Sequence, residues 1–122
     1  MLIYGANGYT GRLIATEAAG RGLRPTLAGR NQPTIESLAN KLGCTAITFA
    51  LDSVEQVVRQ LNRYREELLR TKPEASAVVL NCAGPFEKTA PLMMPACIES
   101  RVHYLDITGE IPFIERAASL SE

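Results

Sequence analysis

The chain has 122 residues, 46% of them apolar, which suffices for one domain whose core needs no disulfide or metal staple and excludes a disordered segment. Thirteen basic and thirteen acidic side chains cancel to zero formal charge, so there is no electrostatic footprint for nucleic acid or an anionic membrane, and any anion must be bound locally. The three cysteines, Cys44, Cys82 and Cys97, lack Cys-x-x-Cys spacing, and one histidine leaves too few soft ligands for zinc. No apolar run reaches the roughly 18 residues of a membrane helix, and the N-terminus lacks a signal peptide's basic and apolar segments. A reduced, cytoplasmic chain is the expectation.

Leu2-Ile3-Tyr4 reads as the end of a short strand and Thr10 to Arg21 as a helix. Between them stands GANGYTG, with Gly5, Gly8 and Gly11 at three-residue spacing. Alone, such a triplet is equally a flexible turn; the strand before it and the helix after it make it a phosphate loop. Gly5 allows the tight turn, Gly8 lets the backbone approach a diphosphate, and Gly11 lets the helix pack close to the sheet. Free amides of the first helical turn, around Gly8, Tyr9 and Thr10, face the anion, with the positive end of the helix dipole behind them. Thr10 adds a hydroxyl. No Gly-Lys-Ser or Gly-Lys-Thr follows, which excludes a nucleoside triphosphate loop.

A second strand, Thr26 to Ala28, runs into Gly29-Arg30-Asn31. At this distance a cofactor with a free ribose 2′-hydroxyl would meet Asp or Glu, yet no carboxylate lies between Glu17 and Glu36. The Arg30 guanidinium, with Asn31 beside it, suits a 2′-phosphate and stacks on adenine, which argues NADP(H) over NAD(H); the alternative is an ordinary surface arginine. The second helix follows, with Ile35, Leu38, Ala39 and Leu42 on one face, Pro33 in its first turn and Gly43 as its left-handed stop.

After a third strand, Ala46 to Phe49, Asp52 and Ser53 either border the adenine or simply start the third helix. Ser53-Val54-Glu55-Gln56 has the capping-box pattern, and Val54, Val57, Val58, Leu61, Tyr64 and Leu68 form its apolar stripe. Arg59, Arg63, Arg65, Glu66, Glu67 and Arg70 are its solvated face. The fourth strand, within Ala77 to Cys82, contains the continuously apolar Val78 to Leu80 and should be buried on both faces. It leads into Ala83-Gly84-Pro85, whose exposed backbone would border a nicotinamide. On the fifth strand, Val102 to Ile107, His103 reads as structural, and Cys82 reads as a small apolar residue rather than a nucleophile. Ile111 to Ser121 reads as a last helix, and a first domain of something longer is expected.

This alternation predicts an α/β fold: a doubly wound parallel sheet of about five strands, in order 3-2-1-4-5, with helices on both faces. No tyrosine has a lysine four positions on, since Tyr4, Tyr9, Tyr64 and Tyr104 are followed by Gly8, Leu13, Leu68 and Thr108. That removes the acid and its activator of a short-chain dehydrogenase, and no residue is assigned as catalytic.

The stretches YGANGYTGRLIA, GLRPTLAGRN, VVLNCAGPF, PACIES and VHYLDITGE resemble, in order, the NADP-binding domain of saccharopine dehydrogenase-like oxidoreductases, including the trans-acting enoyl reductase branch. The resemblance implies a Rossmann domain spanning 1–122 that binds NADP(H) through Gly5, Asn7, Gly8, Tyr9, Thr10, Gly11, Arg30, Asp52 and the Ala83-Gly84-Pro85 backbone. It also implies a second domain that shapes the substrate site, and the leading reading is that this domain presents the C=N, C=C or C=O group of a small molecule for hydride transfer. RYREELLRTKPEA departs from the family pattern by lengthening the third helix and its exit. A non-catalytic NADP(H) sensor or partner-binding module would carry the same loop.

Overall fold

The computed structural model describes residues 1–107; the expected helix at Ile111 to Ser121 lies outside them. Nine elements alternate: β1 (Leu2–Tyr4), α1 (Tyr9–Gly20), β2 (Thr26–Gly29), α2 (Gln32–Leu42), β3 (Ala46–Thr48), α3 (Val54–Thr71), β4 (Val78–Asn81), α4 (Phe86–Ser100) and β5 (His103–Asp106). The five strands form one sheet, all pairs parallel, in the order β3-β2-β1-β4-β5. The chain thus starts in the middle of the sheet, winds out to β3, and crosses back over β1 to β4. At that reversal the loops after β1 and β4 diverge and leave a crevice at the carboxyl ends of the strands.

Strand alternation divides the core into two layers. Ile3 and Leu27 face α1 and α2, packing with Ala15, Ile35, Leu38 and Ala39, whereas Leu2, Tyr4 and Val79 face α3 and α4, packing with Val57, Leu61, Tyr64, Met93 and Cys97. The expected stripe of α3 is therefore the face that meets the sheet and α4. Val57, Leu61 and Tyr64 are buried, and Arg59, Arg63, Glu66, Glu67 and Arg70 are exposed, while Arg65 is half-buried. The Arg70–Glu67 pair, 3.1 Å apart on this solvated face, adds little stability. Gly43 ends α2 in the left-handed conformation at φ 70°, as its position suggested.

Burial on both faces was expected of β4, but it is found in the central strands β1 and β2. All three β1 residues are buried, but in β4 burial alternates, with Val79 and Asn81 inside and Val78 and Leu80 half-covered. Among the described residues, α1 lies against β1 and α2, and the helix packed on β4 is α4, on the face that carries Val79. On the α1 side of β5, Leu105 is correspondingly 55% exposed.

Two neutral groups in the core layer between the sheet and α3 and α4 give the fold an alkaline limit. Burial pushes the Cys97 thiol up from 9.0 to about 12, and the Tyr4 hydroxyl from 10.0 to about 12. Both protons are held more tightly in the folded chain than in the unfolded one, so this stability is complete below pH 9 and is lost as pH rises through 12. We expect unfolding free energy measured in urea to decline above pH 9, and Cys97→Ala to flatten the decline by at most about 1.4 kcal/mol per pH unit.

Candidate functional site

The loop between β1 and α1 begins with the amides of Gly5 and Ala6 both bonded to the Ala28 carbonyl, at 2.8 and 3.2 Å, which continues the β1–β2 ladder by one step. Gly5 then turns at φ +80°, and a Cβ there would stand 2.7 Å from the Ala83 nitrogen. At Gly11 a Cβ would stand 2.3 Å from the Gly5 carbonyl oxygen, so the first turn of α1 lies directly on the loop. The fold itself therefore demands glycine at both positions. Gly8 is different. Its φ of −76° and ψ of 172° suit any residue, and its nearest neighbour would be the Gly5 oxygen at 3.4 Å, an ordinary contact.

Gly8 is the N-cap of α1, and no side chain caps that helix or places a carboxylate in its first turn. The positive end of α1 is thus left bare beside the crevice. One detail departs from the sequence expectation. The Gly8 amide, read as a phosphate donor, is spent on the Gly5 carbonyl at 3.1 Å, because the turn at Gly5 aims that oxygen back along the loop. The donors left at this end are the amides of the first helical turn, beginning at Tyr9 and Thr10.

The crevice opens into a cavity of about 640 Å³ lined by Tyr4, Asn7, Arg30, Asn31, Ala50, Leu51, Asp52, Ala83, Gly84, Pro85, Lys88 and Thr89. The structure thus brings together Asn7, Arg30, Asn31, Asp52 and Ala83-Gly84-Pro85 of the residues singled out in the sequence. Gly5, Gly8, Tyr9, Thr10, Gly11 and Ser53 lie outside the lining, the glycine loop forming the shoulder beside it. The cavity has two ends. Arg30, Asn31 and Asp52 come from the ends of β2 and β3; Ala83, Gly84, Pro85, Lys88 and Thr89 come from the end of β4 and the start of α4. The Gly84–Pro85 peptide is cis.

Several of these side chains also hold the loops in place. Asn7 donates to the Thr34 hydroxyl at 3.2 Å, and Thr34 in turn donates its backbone amide to Asn31 Oδ1 at 3.1 Å, tying the glycine loop to the start of α2. Asn31 is therefore a helix cap as well as a cavity residue. Tyr4, which the sequence reading did not assign, donates its hydroxyl to the Phe49 carbonyl at 2.8 Å and so anchors the turn that carries Ala50, Leu51 and Asp52. Desolvation is the main cause raising that hydroxyl; the smaller effects of Arg30, which lowers it, and Asp52, which raises it, place both charges within reach of it. Among the described residues neither Arg30, Asp52 nor Lys88 makes a salt bridge.

For Ser53 the two readings left open by the sequence separate in a measurable way. Its hydroxyl accepts the Gln56 amide at 3.2 Å as the N-cap of α3, and it does not line the cavity. Ser53→Ala is expected to lower stability by about 1 kcal/mol in chemical denaturation and to leave nucleotide affinity unchanged.

The sequence model described as "Saccharopine dehydrogenase NADP binding domain" matches residues 1–120. The chain belongs to this family. It is 29% identical over 127 residues to the human saccharopine dehydrogenase-like oxidoreductase, covering 94% of the chain and 28% of that protein. It is 28% identical over 122 residues to the trans-acting enoyl reductase of Mycobacterium ulcerans, covering 98% of the chain and 28% of that protein. Among solved structures it is similar to apo saccharopine dehydrogenase (L-Glu forming) of Saccharomyces cerevisiae, with a TM-score of 0.68 at 16% identity over 93% of the chain and 23% of that one. The chain thus spans less than a third of the curated relatives it matches.

Within this saccharopine dehydrogenase NADP-binding domain, the cavity fits a phosphorylated dinucleotide. The end of α1 beside it carries no internal cap, and Arg30, at the end of β2, makes no salt bridge among the described residues, although Asp52 shares that end of the cavity.

Proposed function

We propose that this chain is the cofactor domain of a longer oxidoreductase, whose further domain presents a small molecule with a C=N, C=C or C=O group. The first-turn amides of α1 would hold the diphosphate, Arg30 the 2′-phosphate, Asn31 and Asp52 the adenosine, and the Ala83-Gly84-Pro85 backbone the nicotinamide half. When bound, the nicotinamide supplies or accepts the hydride. The chain's own part is to bind and orient it, and none of its residues is assigned as an acid or base. Relatives named as oxidoreductases, of which the chain covers about a quarter, support this reading. Three free cysteines favour a cytoplasmic setting, and among the described residues no helix is long and apolar enough to cross a membrane.

One observation carries the reading. The fold requires glycine at 5 and 11 but has room for a Cβ at 8, so Gly8 answers to something that approaches the backbone from outside. We expect NADPH to bind saturably to the 122-residue chain in calorimetric titration, and NADH more weakly. Gly8→Ala should keep the wild-type melting temperature and lose NADPH affinity by about tenfold or more, since a methyl forced into a close contact costs on the order of 1.4 to 3 kcal/mol. Unchanged affinity in that variant, or tighter binding of NADH than of NADPH by the wild-type chain, refutes the proposal.

A further inference from the structure

Asn81, the last residue of β4, is a polar side chain and yet is fully buried. Its Oδ1 accepts the Ala83 amide at 3.0 Å. A backbone N–H can only donate, so this bond fixes which way the carboxamide is turned and leaves Nδ2 facing the other side. There Nδ2 donates to the Thr89 hydroxyl and to the Tyr104 hydroxyl, each at 3.1 Å. Thr89 then donates onward to the Ala83 carbonyl at 2.8 Å.

Both polar groups of Ala83 are thereby held by side chains: its N–H by Asn81 and its C=O by Thr89. Neither bond belongs to a helix or strand, and both converge on the residue that abuts Gly5, where a Cβ would meet Ala83 atoms at 2.7 to 2.9 Å. Ala83 is also part of the cavity wall. The loop after β4 is consequently pinned against the loop after β1 at the one place where the two halves of the crevice meet.

We propose that Asn81 and Thr89 are positioning residues for the nicotinamide half of the dinucleotide: by clamping Ala83 they set the spacing between the two loops on the β4 side. This rests on the NADP(H) reading. A clamp of this kind acts on one end of the cavity, because the adenosine end is built from the ends of β2 and β3, which do not pair with β4; Tyr4 lies beside Asn81 in the β1–β4 ladder but sends its hydroxyl to Phe49, apart from the Asn81–Thr89 bonds. A merely structural role would instead weaken both ends together.

The test uses the 122-residue chain with two probes, NADPH and adenosine 2′,5′-bisphosphate, measured by calorimetry, and with amide hydrogen exchange at Ala83 in the ligand-free chain. Thr89→Val keeps the branched shape and removes the hydroxyl; Thr89→Ser keeps the hydroxyl. Thr89→Val should lose about tenfold in NADPH affinity, hold the bisphosphate within about twofold, and exchange the Ala83 amide about tenfold faster, while Thr89→Ser restores all three. If Thr89→Val does not fold, Tyr104→Phe, which takes away the other partner of Asn81, is measured instead with the same split expected. Equal losses on both probes, no loss on either, or no rescue by serine overturns the proposal. A wild-type Ala83 amide exchanging as fast as that of exposed Gly84 overturns it without reference to any nucleotide, whereas a wild-type chain that binds neither probe overturns the NADP(H) reading itself.

Discussion

Arg30→Ala is expected to weaken NADPH binding by about 100-fold and to leave NADH within about threefold, since a forked, charge-assisted contact to a phosphate contributes on the order of 2 to 3 kcal/mol. The asymmetry follows from where the guanidinium stands. It leaves the end of β2, lines the crevice, and makes no salt bridge among the described residues, so its removal breaks no ion pair described in the fold. Arg30→Lys should recover only part of the affinity, because an ammonium keeps the charge and loses the planar fork. Parallel titrations of the three proteins with both dinucleotides decide the matter. Equal loss for NADPH and NADH would mean that Arg30 serves the diphosphate or the loop and not the 2′-phosphate.

Gly11→Ala should be the most damaging single methyl in the binding loop. The added carbon would overlap the Gly5 carbonyl oxygen at 2.3 Å and the Ala6 Cα at 2.9 Å, and both are backbone atoms that cannot swing aside. Relief requires α1 to slide away from β1, which uncovers Ile3 and Ala15 in the first core layer and moves the bare helix end off the crevice. A destabilisation of about 3 kcal/mol in urea unfolding is expected, at the upper end of ordinary overpacking costs, together with loss of measurable NADPH binding. Set beside Gly8→Ala, which should bind poorly without unfolding, the pair separates the glycine that serves the ligand from the one that serves the fold. A Gly11→Ala protein as stable as wild type would show that α1 has slack against the loop.

The parts of this molecule legible from sequence are those whose cause is local. The strand, glycine turn and helix of residues 2 to 20 announce themselves through period and spacing, and the winding order follows from alternation and crossover handedness. Asp52 and Ser53 were ambiguous, and the capping role of Asn31 went unread, for one chemical reason: the short polar side chains that cap helices are the same ones that hydrogen-bond a sugar. Geometry divides them, putting Ser53 at a cap alone, Asn31 at a cap and in the cavity, and Asp52 in the cavity. Tyr4 and Thr89 escaped because their partners lie far along the chain or across a turn. Nothing near Tyr4 in the sequence points to Phe49, 45 residues on, and Thr89 reads as an ordinary helix residue until Asn81 is brought beneath it. The expectation that β4 would be covered on both sides failed because its apolar run reports only that the strand is apolar, not how far a helix on the opposite face extends.

The bare start of α1 has a consequence for how the domain keeps its shape. In α2 and α3 a side chain from the chain itself closes the helix end, through Asn31 and Ser53, whereas α1 has no such internal stopper. On the proposed reading its completion falls to the bound diphosphate, so part of the folding free energy would become a function of the surrounding solution. At a nucleotide concentration one hundred times its dissociation constant this linkage amounts to about 2.7 kcal/mol, enough for cofactor supply to govern how long the protein survives heat and proteases.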